Sequence, residues 1–445
     1  MEVRLIFIKE QHELDKYLPK ILEREAWGCD TETNGTDPHV NKVLSIQLGR
    51  PEQTYVIDAR RVNPAPLKET FFENDKYTKI FHNVKFDHKM MRGTFDINME
   101  RVRCTFLAEK IMTAGVVHYL SKEHKWDNVI SKRLGKTIKN KEEMQKSFIG
   151  HEGDFSAAQL EYMGDDVQYS LPVYQQQAQE LIKLDLVKTM ILECDAALVF
   201  GDMEFEGMKL DPDAWSKIIL SNKKRADELK LEMDKIAAEY IGCNLFGEIE
   251  INYASPAQML QLLQKMGVKV NRYDFRTKEE ISELVTKTDT NSLKGVKCNK
   301  FIELLREWRS TNIRITNFGD SYINAIHPLT GCIHPNMWQI GTGTGRPASG
   351  ESDVNPLNVP RDQKYRSCFT CDHDELVESD DFSGCESRIL AHISKDPLML
   401  GIFNRGEDIH CGAATEIYGV PVTKKNENKH LRTPAKALNF GGPRG

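Results

Sequence analysis

The chain has 445 residues, 40% hydrophobic and 28% charged, with a formal net charge of -6. That length allows about three domains, and the composition excludes a disordered or low-complexity chain. No apolar run approaches the ~18 residues of a membrane span, and an acidic balance argues against indiscriminate coating of nucleic acid while leaving room for a basic groove.

Met1-Glu-Val-Arg-Leu-Ile-Phe-Ile-Lys9 reads as a strand, because its apolar core is too short and too acid-flanked for a signal peptide. The expected location is therefore the cytoplasm, and the ten scattered cysteines suit it. One pair, Cys368-Phe-Thr-Cys371, has CxxC spacing, but no second pair completes a zinc site.

Residues 1 to about 185 alternate strand and helix signals. Arg4–Ile8 is a predicted strand, Gln11–Arg24 an amphipathic helix, and Trp27–Thr31, Val43–Leu48, Tyr55–Asp58 and Lys79–His82 further strands. Three patterns sit on this scaffold. In Cys29-Asp-Thr-Glu-Thr33, strand alternation puts Asp30 and Glu32 on one face, where both could reach one cation. His82-Asn-Val-Lys-Phe-Asp87 offers Asn83 and Asp87 at a strand-to-helix junction. Tyr162-Met-Gly-Asp-Asp166 lies on a helix announced by Ser156-Ala-Ala-Gln159, a capping box, and the spacing of four puts Tyr162 and Asp166 on one helical face.

Singly, each pattern is more often a solvated strand or helix end. Together they supply four carboxylates and a phenol, a set of hard oxygen ligands suited to two divalent ions in phosphodiester cleavage. In order and spacing these residues resemble the three motifs of the DEDDy 3′–5′ exonucleases, whose fold is similar to ribonuclease H. The resemblance implies metal ligation by Asp30, Glu32, Asp87 and Asp166, a water-orienting role for Tyr162, a DNA contact at Asn83, and Mg²⁺ or Mn²⁺, two per active site.

From about Met190 the pattern is helical up to a turn at Glu206-Gly207, and a long helix follows from Trp215 to about Tyr240. Asn252-Tyr-Ala-Ser-Pro256 caps a helix over Ala257–Lys265. Residues 270 to 290 are polar and aperiodic and read as an exposed tip, followed by a basic run with Lys294, Lys297, Lys300, Arg306, Arg309 and Arg314. On its own such a run is a solvated face; beside a nuclease it reads as a phosphate-binding one. This middle part resembles the thumb of the family A DNA polymerases.

His334-Pro-Asn-Met-Trp-Gln-Ile-Gly-Thr-Gly-Thr-Gly345-Arg346 has no Lys-Ser/Thr after its glycines, so it reads as a turn presenting Arg346 rather than a phosphate cradle. Arg346, Asn355 and Asn358 suit contacts to a nucleic-acid backbone and minor groove. Leu376 and Val377 read as a short strand ending in Asp380 and Asp381, and a turn at Ser383-Gly384 opens a helix with Glu386, Arg388 and His392. Arg432, Lys436 and Phe440 recur every four residues, presenting two cations and a ring on one helical face suited to a triphosphate and a base.

In series these segments resemble the motifs of family A DNA polymerases of the bacterial polymerase I type. The resemblance implies a metal ligand at Asp381 and a ribose-excluding gate at Glu386. It also implies triphosphate or base contacts at His410, Arg432, Lys436 and Phe440. The expected fold is α/β: a ribonuclease H-like exonuclease domain (1–185), a linker and helical thumb (186–325), and a partial palm with the start of the fingers (326–445) of a right-hand polymerase. Expected partners are primer-template DNA, single-stranded 3′ ends and dNTPs, with no membrane.

Some positions depart from the family pattern. Gly384 and Leu357 stand where glutamines are usual, Arg444 stands for a tyrosine, and Pro434 falls inside the fingers helix, where it should bend or restart it. The family's third polymerase motif, with the second palm aspartate, has no counterpart, and the chain starts at the exonuclease, which suits a phage-type enzyme in the host cytoplasm. The leading expectation is thus a proofreading polymerase truncated after the fingers motif, or half of a split enzyme completed by a second polypeptide. A stand-alone exonuclease with a vestigial polymerase part and a non-catalytic DNA-binding scaffold are the alternatives.

Overall fold

The computed structural model describes residues 4–118, 121–138, 141–247, 249–274, 279–296, 299–350 and 354–441. Lys297, Arg444 and the side chains of Lys294 and Phe440 lie outside the described part. The chain divides into two compact units, Met1–Cys371 and Asp372–Gly445. The expected boundaries at 185/186 and 325/326 both fall inside the first unit, the one between two helices and the other just after the Ser321–Asn324 helix.

The first unit is built on a six-stranded mixed sheet of order β1-β4-β3-β2-β5-β6. Its strands are β1 (Arg4–Ile8), β2 (Ala26–Thr33), β3 (Val43–Arg50), β4 (Gln53–Asp58), β5 (Thr78–Phe81) and β6 (Val102–Cys104). β3 runs antiparallel to β2 and β4, whereas β1 with β4, β2 with β5, and β5 with β6 are parallel. Helices cover both faces, so β3 is buried along nearly its whole length. Tyr55 and Ile57 pack into one core cluster and Val56 into the other, as strand alternation requires.

Opposite the step from Glu32 to Thr33, β3 carries one extra residue, Leu44. Such a bulge sharpens the local twist and re-aims the side chains beside it, here at the very end of β2 that bears the acids. The Ala157–Gln168 helix lies across β2, β3 and β4 and begins with the expected capping box: Gln159 N donates to Ser156 Oγ at 3.2 Å and Ser156 N to Gln159 Oε1 at 2.9 Å. Its C-terminal end and the start of the Ser170–Lys183 helix come so close to the sheet that a Cβ on Gly28 would stand 2.7 Å from Ser170 Cβ, and one on Gly49 2.7 Å from the Val167 carbonyl carbon.

Beyond residue 185, the Val187–Glu206 helix ends at Gly207, whose φ of 73° is in the region glycine tolerates best. The Pro212–Ile241 helix is capped by Asp211 Oδ1, which accepts from Asp213 N and Ala214 N. Leu229, Met233 and Ala237 on it pack against Phe301, Leu304 and Leu305 of the Lys300–Asn317 helix, forming a separate hydrophobic core. The supposed aperiodic tip is an antiparallel hairpin, Lys269–Asp274 paired with Glu279–Leu284. Its ladder satisfies the backbone although too few apolar residues alternate to announce a strand.

Met208–Leu210 is the centre of a small three-stranded sheet between Cys332–Ile333 and Phe369–Thr370. The residues between the two cysteines of the CxxC thus form an edge strand, and Cys368 is buried as a hydrophobe.

The second unit consists of the Cys385–Ser394, Pro397–Asn404, Ile409–Tyr418 and Arg432–Gly441 helices. No strand forms at Leu376-Val377: both are exposed, and no described segment pairs with them. A two-residue strand without a neighbour has nothing to hold it. At Pro434 the chain restarts a helix, one of the two expected effects: a 3-10 turn over Glu427–Leu431 gives way to the Arg432–Gly441 helix. The helix begins at Arg432, so the proline sits in the first turn, where backbone donors have no intrahelical acceptor anyway.

Candidate active site

The end of β2 and the Ala157–Gln168 helix bring Asp30, Glu32 and Asp166 together, each offering a carboxylate oxygen within 4.8 Å of the others. Asp87, in the first turn of the Val84–Phe95 helix, lines the same cleft, and its Oδ1 accepts a 2.7 Å hydrogen bond from Thr31 Oγ1. Asn83 makes the turn from β5 into that helix with a φ of 71°, a left-handed conformation that asparagine adopts more readily than most residues. It stays exposed on the cleft wall. Trp126 Nε1 donates to the Asp166 carbonyl at 3.1 Å, anchoring the backbone behind the carboxylate.

Burial dominates the electrostatics. It raises the proton affinity of Asp30 and Glu32 well above the ordinary carboxylate range, and the neighbouring acids add to it: Asp87 above all for Asp30, Asp166 for Glu32. Burial likewise lifts Asp87 to about 7, with the Asp166 charge adding to it and the Thr31 hydrogen bond opposing it. Burial and then the charges of Asp166 and Glu32 push the Tyr162 phenol far upward, so it stays protonated. Its hydroxyl is buried, lies near the Asp166 carboxylate and has no partner at full hydrogen-bonding geometry among the described residues. His82, at the cleft, is held neutral by burial, which lowers it to about 3.

These observations fit a divalent-cation centre. Buried like charges crowded to this degree are costly without a cation, and a buried hydroxyl without a well-formed hydrogen bond is poised for a bound water. Asp30, Glu32, Asp166 and Asp87 are the residues that could hold such ions. The cleft has a volume of about 1010 Å³, and Lys85, Lys110, Lys122 and Lys125 stud its walls.

Two residues that matter here had no sequence signal. Lys141, at the start of the Lys141–Lys146 helix, places Nζ 3.0 Å from Asp166 Oδ1 and 3.4 Å from Oδ2. Glu204, almost fully buried, accepts from Lys85 and, at 2.6 Å each, from Lys89 Nζ and the Met337 backbone N. Lys85 also donates to the Met337 carbonyl, and Lys110 Nζ to that of Gln339 at 2.9 Å. The 336–339 segment is thereby fastened along the cleft as one of its walls.

The remaining candidates are gathered less tightly. Arg346 is exposed in a tight turn, with its N–H on Thr342 Oγ1 at 3.0 Å. The Asn355 side chain is engaged within the fold, accepting from Leu357 N at 3.1 Å and donating to the Ser349 carbonyl at 3.0 Å, whereas Asn358 is exposed. In the basic run, Arg306 and Arg309 turn inward to the carbonyls of Leu293 and Thr288 rather than presenting themselves to a phosphate.

In the second unit Asp381 and Glu386 are exposed, and Asp381 is not one of any three clustered acid, cysteine or histidine ligands among the described residues. Arg432 reaches Asp408 through two hydrogen bonds, at 3.0 and 2.8 Å, and Asp408 also caps the helix that carries His410. That bidentate pair fixes Arg432 beside His410, and the charges of Arg432 and Lys436 both act on the imidazole.

Residues 5–182 match the family model described as a 3′–5′ exonuclease, and residues 221–442 that of DNA polymerase family A. Similar proteins are named DNA polymerase I. The one from Aquifex aeolicus is 27% identical over 98% of this chain and 71% of its own length. The one from Pseudomonas aeruginosa is 24% identical over 99% of this chain and 48% of its own. That of Caldicellulosiruptor bescii is 28% identical over 55% of this chain, which spans 27% of that protein. A solved POL domain from M. smegmatis, in complex with DNA primer-template and dNTP, superposes with a TM-score of 0.74 at 18% identity, covering 99% of this chain and 71% of that one. The chain belongs to the family A DNA polymerases, with a 3′–5′ exonuclease domain ahead of its polymerase region.

Proposed function

We propose that this chain removes nucleotides from single-stranded DNA 3′ ends, as the proofreading part of a template-directed DNA polymerase acting in the cytoplasm. The observation that carries the reading is the meeting of Asp30, Glu32, Asp87 and Asp166 at one cleft, with the buried Tyr162 phenol near enough to Asp166 and Glu32 to feel their charges. Two Mg²⁺ or Mn²⁺ ions held by the four carboxylates would activate water and stabilise charge on the phosphate oxygens.

The chain's own groups do the rest. Tyr162, kept protonated, orients the attacking water through its hydroxyl. Neutral His82 adds no charge to the cleft floor. The exposed Lys122 and Lys125 on the walls neutralise the strand's phosphates and draw a single strand into the cleft. Asn83, exposed on the wall, contacts the strand.

On the polymerase side, His410, Arg432, Lys436 and Phe440 would take the incoming dNTP, Glu386 would exclude its ribose hydroxyl, Asp381 would ligate metal, and Arg346, Asn355 and Asn358 would contact primer-template. The exposed, ungathered Asp381 favours a second reading, in which the exonuclease is the activity of this chain by itself. A second polypeptide finds no support in the comparisons.

The test is a 5′-labelled single-stranded oligonucleotide incubated with the purified chain and Mg²⁺ or Mn²⁺. A ladder shortening from the 3′ end, lost with Asp30→Ala plus Glu32→Ala, is expected; no shortening would refute the exonuclease reading. Primer extension measured in parallel with dNTPs separates the two readings.

A further inference from the structure

The Lys141 ammonium lies against Asp166, one of the acids that could hold a cation, and its charge acts on Asp30 and Glu32 as well. It spans both oxygens of Asp166, at 3.0 and 3.4 Å, in a pair with side chains only 18% and 6% exposed. Asp166 is in turn one of the three acids whose oxygens lie within 4.8 Å of each other. An ammonium and a divalent ion cannot share that space, because both are positive and both need the same lone pairs. Lys141 lies on a short helix that also lines the cleft through Glu142, Gln145 and Lys146, so the ammonium can leave Asp166 without disturbing the sheet.

We infer that Lys141 is the resident counter-cation of the carboxylate cluster: it holds Asp166 while the site has no metal, competes with the metal for it, and so weakens metal binding. The inference rests on the metal-dependent exonuclease reading above. Lys141 is a positioning residue in this account, since it acts through Asp166 and touches no reacting atom.

The experiment is Mn²⁺ binding to the full chain without DNA, followed by electron paramagnetic resonance of the free ion, at about pH 8.5 to limit proton competition. Lys141→Gln should bind Mn²⁺ roughly 3- to 30-fold more tightly than the wild type, the range expected for releasing a carboxylate from a partly buried ion pair. Lys141→Arg, which keeps the charge, should bind like the wild type. A lysine needed only for folding would give the opposite sign, weaker binding in Lys141→Gln. Equal or weaker binding in Lys141→Gln overturns the inference. The Asp30→Ala plus Glu32→Ala variant tells this failure from that of the underlying reading. If the wild type binds no Mn²⁺ that this variant loses, the metal centre itself is refuted.

Discussion

Gly28 on β2 and Val167 at the end of the Ala157–Gln168 helix are in direct backbone contact, with the Val167 carbonyl oxygen occupying the space a Cβ on Gly28 would need. Asp166 is the adjacent residue, so this contact sets how deeply its carboxylate reaches toward Asp30 and Glu32. Gly28→Ala must push backbone against backbone. Exonuclease activity is expected to fall at least about tenfold, with stability reduced by about 1–3 kcal/mol. Steady-state cleavage of a labelled oligonucleotide and thermal melting check the two effects.

Removing the acids should separate activity from stability. Asp30→Ala plus Glu32→Ala removes two of the proposed metal ligands but also relieves repulsion between buried carboxylates. In a chelator the double variant is expected to melt at a higher temperature than the wild type, while its nuclease activity is lost. A lower melting temperature would mean that the acids stabilise the metal-free fold.

Tyr162→Phe removes a hydroxyl that is buried without a well-formed hydrogen bond among the described residues. Stability should stay constant or rise by up to about 1 kcal/mol, since no well-formed hydrogen bond is lost. Turnover should nonetheless drop on the order of 10- to 100-fold if the hydroxyl orients water. A turnover matching the wild type would remove the phenol from the mechanism.

The raised proton affinities set the pH dependence. Asp87 holds its proton up to about 7 in the folded chain, and Asp30 and Glu32 are also raised, so the folded state binds more protons than the unfolded one. Stability from these groups is complete below the ordinary carboxylate range and is lost as pH rises through about 7. In a chelator the melting temperature should therefore decline from acidic pH to beyond neutrality. Added Mn²⁺ should restore more stability at higher pH, because metal binding displaces those protons. A chelator–Mn²⁺ difference that does not grow with pH would contradict this.

Much of the site was legible because it lies on elements with local signals. Ser156 and Gln159 announced the helix with Tyr162 and Asp166, and alternation put Asp30 and Glu32 on one face. The Leu376-Val377 strand failed because strand formation needs a partner that no local pattern reveals, and the 269–284 hairpin was missed for the converse reason. Lys141 and Glu204 were invisible since their meaning is tertiary. A lysine opening Lys141-Glu-Glu looks like any solvated helix end, and only folding carries it to an acid 25 residues away. Glu204 is joined to Met337 across 133 residues of chain.

That last connection has a consequence for how the protein can be taken apart. The wall of the cleft at 336–339 comes from far outside the first 185 residues, riveted there through Glu204, Lys85 and Lys110. Severing the chain after residue 185 would leave all four acids and the tyrosine in place yet open the trench on one side and strip Lys85 and Lys89 of their counter-charge. The carboxylate floor of the cleft thus has banks that belong partly to residues beyond the exonuclease-matching segment, so the cleft keeps its shape only while both parts of the chain are joined.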